Sequence, residues 1–308
     1  MKVGVIGLGD IAQKAYLPIM AGIHEVDWVL STRNEAVLEK MKAKYRFTET
    51  APTIEKLIET GICAAFIHTS TESHPTIIES LLQAGIHVYV DKPIAYHYEQ
   101  AKALTELAQL NKCVLMTGFN RRYAPMVSAL KEVKDPSYIY MEKNRVYHPD
   151  YARRFIFDDF IHVVDSISYL SSGEVRDLSI SAQVQNGMLY QVMLKLEGDN
   201  YTAVGLMNRD SGMTEEHIEM IGSGQKHVVR GLNSTIYFSE GEEKHHSYGD
   251  WVPVLKRRGF DDIITSFLKC VSGEMKQYPS MEEALETHRL CELIVKKAEE
   301  KGALVWSP

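Results

Sequence analysis

Over the first 118 residues, short apolar runs alternate with amphipathic stretches of helical period. Lys2-Val3-Gly4-Val5-Ile6 is a β-branched run of the kind that forms a buried parallel strand. Val26-Asp27-Trp28-Val29-Leu30, Cys63-Ala64-Ala65-Phe66-Ile67, His87-Val88-Tyr89-Val90 and Cys113-Val114-Leu115-Met116-Thr117 read the same way. Between these runs, a helix is predicted from Gln13 to Met20. Val37, Leu38 and Met41 mark one helical face over 36–45, and Ile54, Leu57 and Ile58 mark a shorter one. Thr71-Glu72-Ser73-His74-Pro75 supplies a hydroxyl cap and a first-turn proline. Ile77, Ile78, Leu81 and Leu82 then form an apolar stripe that Gly85 ends. Leu104, Leu107 and Ala108 mark one more helix. Strand and helix alternating in this manner predict a doubly wound parallel sheet.

The pattern changes near Gly118. From Tyr138 to Phe238 the chain carries short alternating runs, such as Ile139–Glu142, Leu178–Ser181, Tyr190–Leu194, Tyr201–Val204 and Ile218–Ile221. Asn186-Gly187 and Asp199-Asn200 are hairpin-type breaks. One helix, from about Phe160 to Leu170, is set into this region, and helices return over 260–270 and 281–301. The predicted fold class is α/β. A parallel-sheet domain over 1–118 is followed by an α+β domain over 119–308 with a large open, mostly antiparallel sheet. The C-terminal helices have the option of packing back on the first domain.

The chain has 308 residues, enough for two domains, and 45% hydrophobic content is ordinary for a globular protein. A net charge of −7 argues against a general nucleic-acid binder. No apolar run reaches the length of a membrane span. The first strand starts where a signal peptide would stand, so a cytoplasmic protein is expected. The four cysteines, Cys63, Cys113, Cys270 and Cys291, have neither metal-type nor disulfide-framework spacing. Cys63 and Cys113 lie in apolar runs and are expected to be buried thiols.

Candidate chemistry begins at Gly7-Leu8-Gly9-Asp10-Ile11-Ala12, directly behind the first strand and opening a helix. That context makes the glycines a dinucleotide cradle. Gly7 permits the tight turn, Gly9 leaves bare backbone for a pyrophosphate, and Ala12 allows close helix–strand packing. Unpaired N–H groups at the helix start attract the phosphates. The second strand ends in Ser31-Thr32-Arg33-Asn34, where a strict NAD site carries an acid. A hydroxyl beside a guanidinium suits a 2′-phosphate, which favours NADP(H) over NAD(H).

Ligands of open α/β sheets bind beyond the carboxyl ends of the strands. Three such ends, Thr69-Ser70-Thr71, Asp91-Lys92-Pro93 and Gly118-Phe119-Asn120-Arg121-Arg122, are expected to face the nicotinamide half. The expected cofactor contacts are Gly7, Gly9, Asp10, Ile11, Ala12, Ser31, Thr32, Arg33, Thr69, Ser70, His74, Asp91, Lys92, Asn120 and Arg121. Pro93 ends its strand and fixes where Lys92 emerges. A lysine there can bond a substrate oxygen and stabilise alkoxide charge, a contribution of about 3 kcal/mol. A second set is Asp158, His162 and Asp165, at i, i+4 and i+7, which share one face of a regular helix. Two carboxylates beside a histidine can orient the ring for proton transfer, worth about 10²–10⁴ in rate. An ordinary salt-bridged helix face has the same spacing. A metal site would need a complementary ligand set that the sequence does not offer, and no metal is expected. Arg122, Tyr123, Tyr147 and Asp165 are the further substrate candidates. Arg121, Arg122, Arg145, Arg153 and Arg154 would suit an anionic substrate, or form a solvated loop.

These motifs resemble the Gfo/Idh/MocA oxidoreductases over nearly the whole chain. The resemblance rests on the Gly7/Gly9/Ala12 turn, the stretch Ala84 to Pro93, Gly118 to Arg122, and the Asp158-x-x-x-His162-x-x-Asp165 helix. It implies a Rossmann domain, then an open mixed sheet buried in a homodimer or homotetramer. It also implies nicotinamide-linked redox chemistry on sugars and polyols. The family's E-K-P lysine falls on Lys92, and its D-x-x-x-H pair falls on Asp158 and His162, the expected catalytic residues. Asp91 stands where the family usually has Glu, and Phe160 where it usually has Gly. A cofactor-binding sensor without turnover is the alternative the family allows.

Overall fold

The computed structural model describes residues 1–306. Six short strands form the first sheet: β1 (Lys2–Ile6), β2 (Asp27–Ser31), β3 (Glu49–Ala51), β4 (Ala64–Ile67), β5 (His87–Val90) and β6 (Leu115–Thr117), in the order β3-β2-β1-β4-β5-β6. Every pairing is parallel. The order reverses at β1, between β2 and β4, and this crevice is where the glycine turn emerges. On one face Ile6, Ile67, Val88 and Val90 pack with Ile78, Leu81 and Leu82 of the helix His74–Gln83 and with Leu104 of Tyr98–Leu110. The other face is aromatic. Phe66 lies 4.8 Å from Tyr89 and 4.9 Å from Phe267, centroid to centroid.

Phe267 lies in a C-terminal segment that groups with the first sheet, the arrangement the sequence left as an option. A single cut after Gly118 is not what the contacts give. The first unit comprises 1–118 together with 260–285, and the second comprises 119–259 with the chain from 286 onward. The helix Phe260–Val271 buries Ile263, Ile264 and Phe267, and Gln277 Nε2 donates to Leu115 O at 2.7 Å. The helix is amphipathic in the sequence, but its partner surface is not written there.

The second unit is built on eight strands: β7 (Pro136–Asn144), β8 (Asp177–Gln185), β9 (Met188–Glu197), β10 (Thr202–Asn208), β11 (Glu215–Gly222), β12 (Gln225–Arg230), β13 (Ser234–Ser239) and β14 (Glu242–Ser247). Their order is β14-β13-β12-β11-β7-β10-β9-β8. Only β7 and β10 run parallel. Asn186 and Gly187 take φ of 52° and 77°, the two-residue hairpin turn that Asn-Gly predicts. The helix Ile161–Leu170 lies across β7 and β10. Gly205 on β10 makes that approach possible, because a Cβ there would stand 2.7 Å from Val163 Cγ1 and 3.1 Å from Ile167 Cδ1.

Three local features depart from expectation. The segments Ala12–Tyr16 and Ile156–Phe160 wind as π-helix rather than α-helix. β14, with no apolar residue, gave no strand signal, and β3 is only three residues long. Cys63 is exposed at the mouth of β4, whereas Cys113 is buried as expected. Among the described residues no helix is long and apolar enough to cross a membrane.

Candidate active site

A cleft of about 770 Å³ opens at the carboxyl ends of β1, β2 and β4 in the first unit. Gly7, Gly9, Ser31, Thr32, Arg33, Thr69 and Ser70 line it, seven of the residues expected to touch a cofactor. Gly7 is obligatory. Its φ is +85°, and a Cβ would come within 2.7 Å of Thr69 N and 2.8 Å of the His68 carbonyl carbon. Gly9 is the opposite case. A Cβ there would meet nothing within 4 Å, so any side chain would project into the cleft. Ala12 is fully buried under the turn. Bare backbone at a helix start beside an open cleft fits a dinucleotide pyrophosphate. Asp10 and Ile11 are exposed at the turn, and Asp10 pairs with Lys14 at 2.9 Å.

Sequence reasoning missed part of this lining. Asn34, Val37, Thr53, Glu55 and His68 also face the cleft. His68 follows β4 and stacks on Tyr16 with centroids 3.8 Å apart. Burial lowers its pKa to about 3, so the ring is neutral. A histidine directly after four buried apolar residues was the available signal.

Lys92 leaves the end of β5, two strands from the glycine turn in the same sheet. Its backbone N–H bonds Asp91 Oδ1 at 3.0 Å. Desolvation raises the Asp91 carboxyl to about 6, against the opposing pull of Lys92. Gly118, at the neighbouring strand end, leaves room for this group. A Cβ there would lie 2.8 Å from Tyr89 Oη and 3.2 Å from Asp91 Oδ1. His74 is buried and not in the cleft. Its ring nitrogens lie 2.8 Å from Pro93 O and 3.1 Å from Thr69 O, which ties the lysine turn to the cleft loop.

In the second unit, Asp158 belongs to the π-turn Ile156–Phe160, and His162 and Asp165 belong to the helix behind it. The regular i, i+4, i+7 face is therefore interrupted at its first member. Asp165 is 1% exposed. Arg122, itself 3% exposed, grips it, with Nη2 donating at 2.8 Å and Nε at 3.1 Å. Thr287 Oγ1 adds a bond at 3.3 Å. These two substrate candidates are thus paired with each other.

The arginine cluster is likewise committed to acids. Arg121 makes a two-bond fork on Glu216 at 2.6 and 2.8 Å, Arg153 does the same on Glu292, and Arg154 pairs with Asp150. Burial works against the Glu216 carboxylate, yet Arg121 holds it down at about 2. Asn120 donates to Arg258 O at 2.8 Å. Asn120 and Arg121, expected at the cofactor, therefore have their partners inside the second unit. Tyr123 ends the short turn Asn120–Tyr123 and is partly buried, whereas Tyr147 is 68% exposed.

Asp159, not singled out by the sequence, is bound by three cations. Lys143, Arg145 and Arg209 all converge on it. Burial opposes its ionisation, but Lys143 and Arg145 hold the carboxyl far below the usual range. Desolvation and Arg121 in turn draw the Lys143 ammonium down to about 7. Lys143 could have been noticed, because it follows Ile139 and Met141 at inward-facing alternate positions of β7.

Comparison with known proteins agrees with this arrangement. Residues 1–119 match the family described as "Oxidoreductase family, NAD-binding Rossmann fold", and residues 125–239 match "YceM-like, C-terminal domain". A Gfo/Idh/MocA family oxidoreductase from Vibrio cholerae is 30% identical, with a TM-score of 0.92 over 98% of this chain and 99% of that one. A dehydrogenase from Clostridium difficile is 34% identical, with a TM-score of 0.91 over 96% and 99%. YceM of Salmonella typhimurium, named as an oxidoreductase, is 29% identical over 97% of this chain and 98% of its own length. A more distant relative is a myo-inositol 2-dehydrogenase of Thermotoga maritima, 26% identical over 69% of this chain and 66% of its own. The glycine cradle, the sheet order and these full-length likenesses lead to one assignment: the chain is a nicotinamide-dependent oxidoreductase and belongs to the Gfo/Idh/MocA family.

Proposed function

We propose that this enzyme interconverts a secondary alcohol and its ketone on a sugar or polyol, with NADP(H) as the preferred cofactor. The observation that carries the reading is the first unit's own geometry. The lysine turn and the glycine cleft lie at the same carboxyl edge of one parallel sheet, joined through His74. The bound nicotinamide supplies or accepts the hydride. Lys92 bonds the reacting oxygen and stabilises negative charge on it. His162 exchanges the hydroxyl proton, and Asp158 steers the imidazole or the substrate. The substrate class follows relatives named as inositol and sugar dehydrogenases, including the Thermotoga myo-inositol enzyme. We further propose that the copies assemble as a homodimer or homotetramer through the face of the eight-stranded sheet. A groove of about 1030 Å³ lies there among Glu216, His217, Glu219, Lys226 and Ile236.

Arg33 is the residue assigned to the 2′-phosphate, in a cleft end formed with Thr32 and Asn34. A charge-assisted fork of this kind contributes about 1.5–3 kcal/mol. Arg33→Ala is therefore expected to weaken NADPH binding tenfold or more and to leave NADH binding nearly unchanged. Titration of both nucleotides by calorimetry measures this. Tighter binding of NADH than of NADPH by the wild-type chain would contradict the assignment.

A further inference from the structure

We infer that Asp159 is a positioning residue, whose carboxylate pins the π-turn Ile156–Phe160 and so fixes where Asp158 and His162 present their side chains. The inference rests on the proposed roles of those two residues. Asp159 itself is buried, and its carboxylate is taken up by Lys143, Arg145 and Arg209. Its partners come from two neighbouring strand ends. Lys143 is near the end of β7 and Arg145 lies just beyond it, with Nε donating to Oδ2 at 2.8 Å and Nη2 to Oδ1 at 3.0 Å. Arg209 follows β10, and its Nη2 donates to Oδ2 at 3.3 Å. The two strand ends are themselves stapled. Arg145 N donates to Asn208 O at 2.9 Å, and Asn208 N to Asn144 Oδ1 at 3.0 Å. The Arg209 guanidinium also rests 4.3 Å from the Phe155 ring centroid, one residue before the π-turn.

The position of this pin matters more than its strength. π-turns are rare, and they occur mostly as single bulges within α-helices. Closing one into regular winding rotates one side of the helix against the other by about 100°. Here Asp159 lies within the turn, which follows directly on the Ala152–Phe155 turn, and His162 comes three residues after Asp159. Three residues further on, Arg122 grips Asp165. His162 is thus bracketed by two carboxylates, each fastened to the sheet unit by cations from other elements. Close packing at Gly205 sets the height of the helix but not its winding. The winding is what three cations on one carboxylate determine.

The test uses the full chain with ¹⁵N-labelled histidine and follows the imidazole signals of His162, assigned with His162→Gln. His227 on β12, in the same unit, serves as the internal reference. In Asp159→Asn, the His162 signals are expected to shift or double while those of His227 stay in place. Unchanged His162 signals would overturn the inference, and so would equal movement of both histidines, which marks general loosening. Should Asp159→Asn fail to fold, Arg145→Met, which takes away one of the three cations and leaves the carboxylate paired with Lys143 and Arg209, is used instead, and the same two outcomes apply. Loss of the catalytic reading is separable. His162→Gln turning over polyol at the wild-type rate would dismiss that reading, and would leave the comparison of the His162 signals between wild type and Asp159→Asn unaffected.

Discussion

Lys92→Ala is expected to bind NADPH as the wild type does and to lose turnover by about 10²–10³-fold, the usual cost of deleting one donor to a charged reacting oxygen. The backbone at this position supports such a separation. Pro93 ends the strand, the Lys92 N–H is bonded to Asp91, and His74 fastens Pro93 O, none of which needs the lysine side chain. The cleft lining does not include Lys92. Calorimetric titration together with steady-state rates on the same sample checks both halves. A variant that loses NADPH binding would make Lys92 a cofactor residue, and one that keeps its turnover would remove it from the chemistry.

The second large effect concerns stability. Arg122→Met leaves the Asp165 carboxylate buried with its main cation gone, in a site where both side chains are at most 2% exposed. Breaking a buried pair from one side costs about 3–5 kcal/mol, because the remaining charge cannot be hydrated. The urea midpoint followed by tyrosine and tryptophan fluorescence is expected to fall sharply. Asp165→Leu added to Arg122→Met should recover much of the loss, since the uncompensated charge leaves with it. A single variant with an unchanged midpoint would show that the pair has no role in holding the helix to its unit.

The fold was largely legible because its signals are local. Buried parallel strands are continuous apolar runs, and β1, β4 and β5 are such runs. The glycine turn was readable because Gly7 answers a backbone requirement and Gly9 an empty space. β14 was invisible because its six residues are all polar and exposed. The placement of 260–285 was legible only as an option for the C-terminal helices, because the partner of Phe267 is the aromatic face of a sheet far away in sequence. The site was legible in its residue types more than in its partners. Spacing put Asp158, His162 and Asp165 on one face, but spacing does not reveal a π-turn, which shifts the register of everything before it. Nor does it reveal that Asp165 belongs to Arg122. Arg121 and Arg153 looked available for an anionic ligand because their acid partners, Glu216 and Glu292, are remote in the chain.

Hydride transfer itself can be followed atom by atom. Sugars and polyols deuterated at their carbinol carbons, myo-inositol among them, are incubated with the enzyme and NADP⁺, and the recovered dinucleotide is weighed by mass spectrometry. Reduced cofactor carrying one deuterium, formed by the wild type and not by Lys92→Ala, is the predicted result. Reduced cofactor without the label, or equal labelling by the two proteins, would contradict the account.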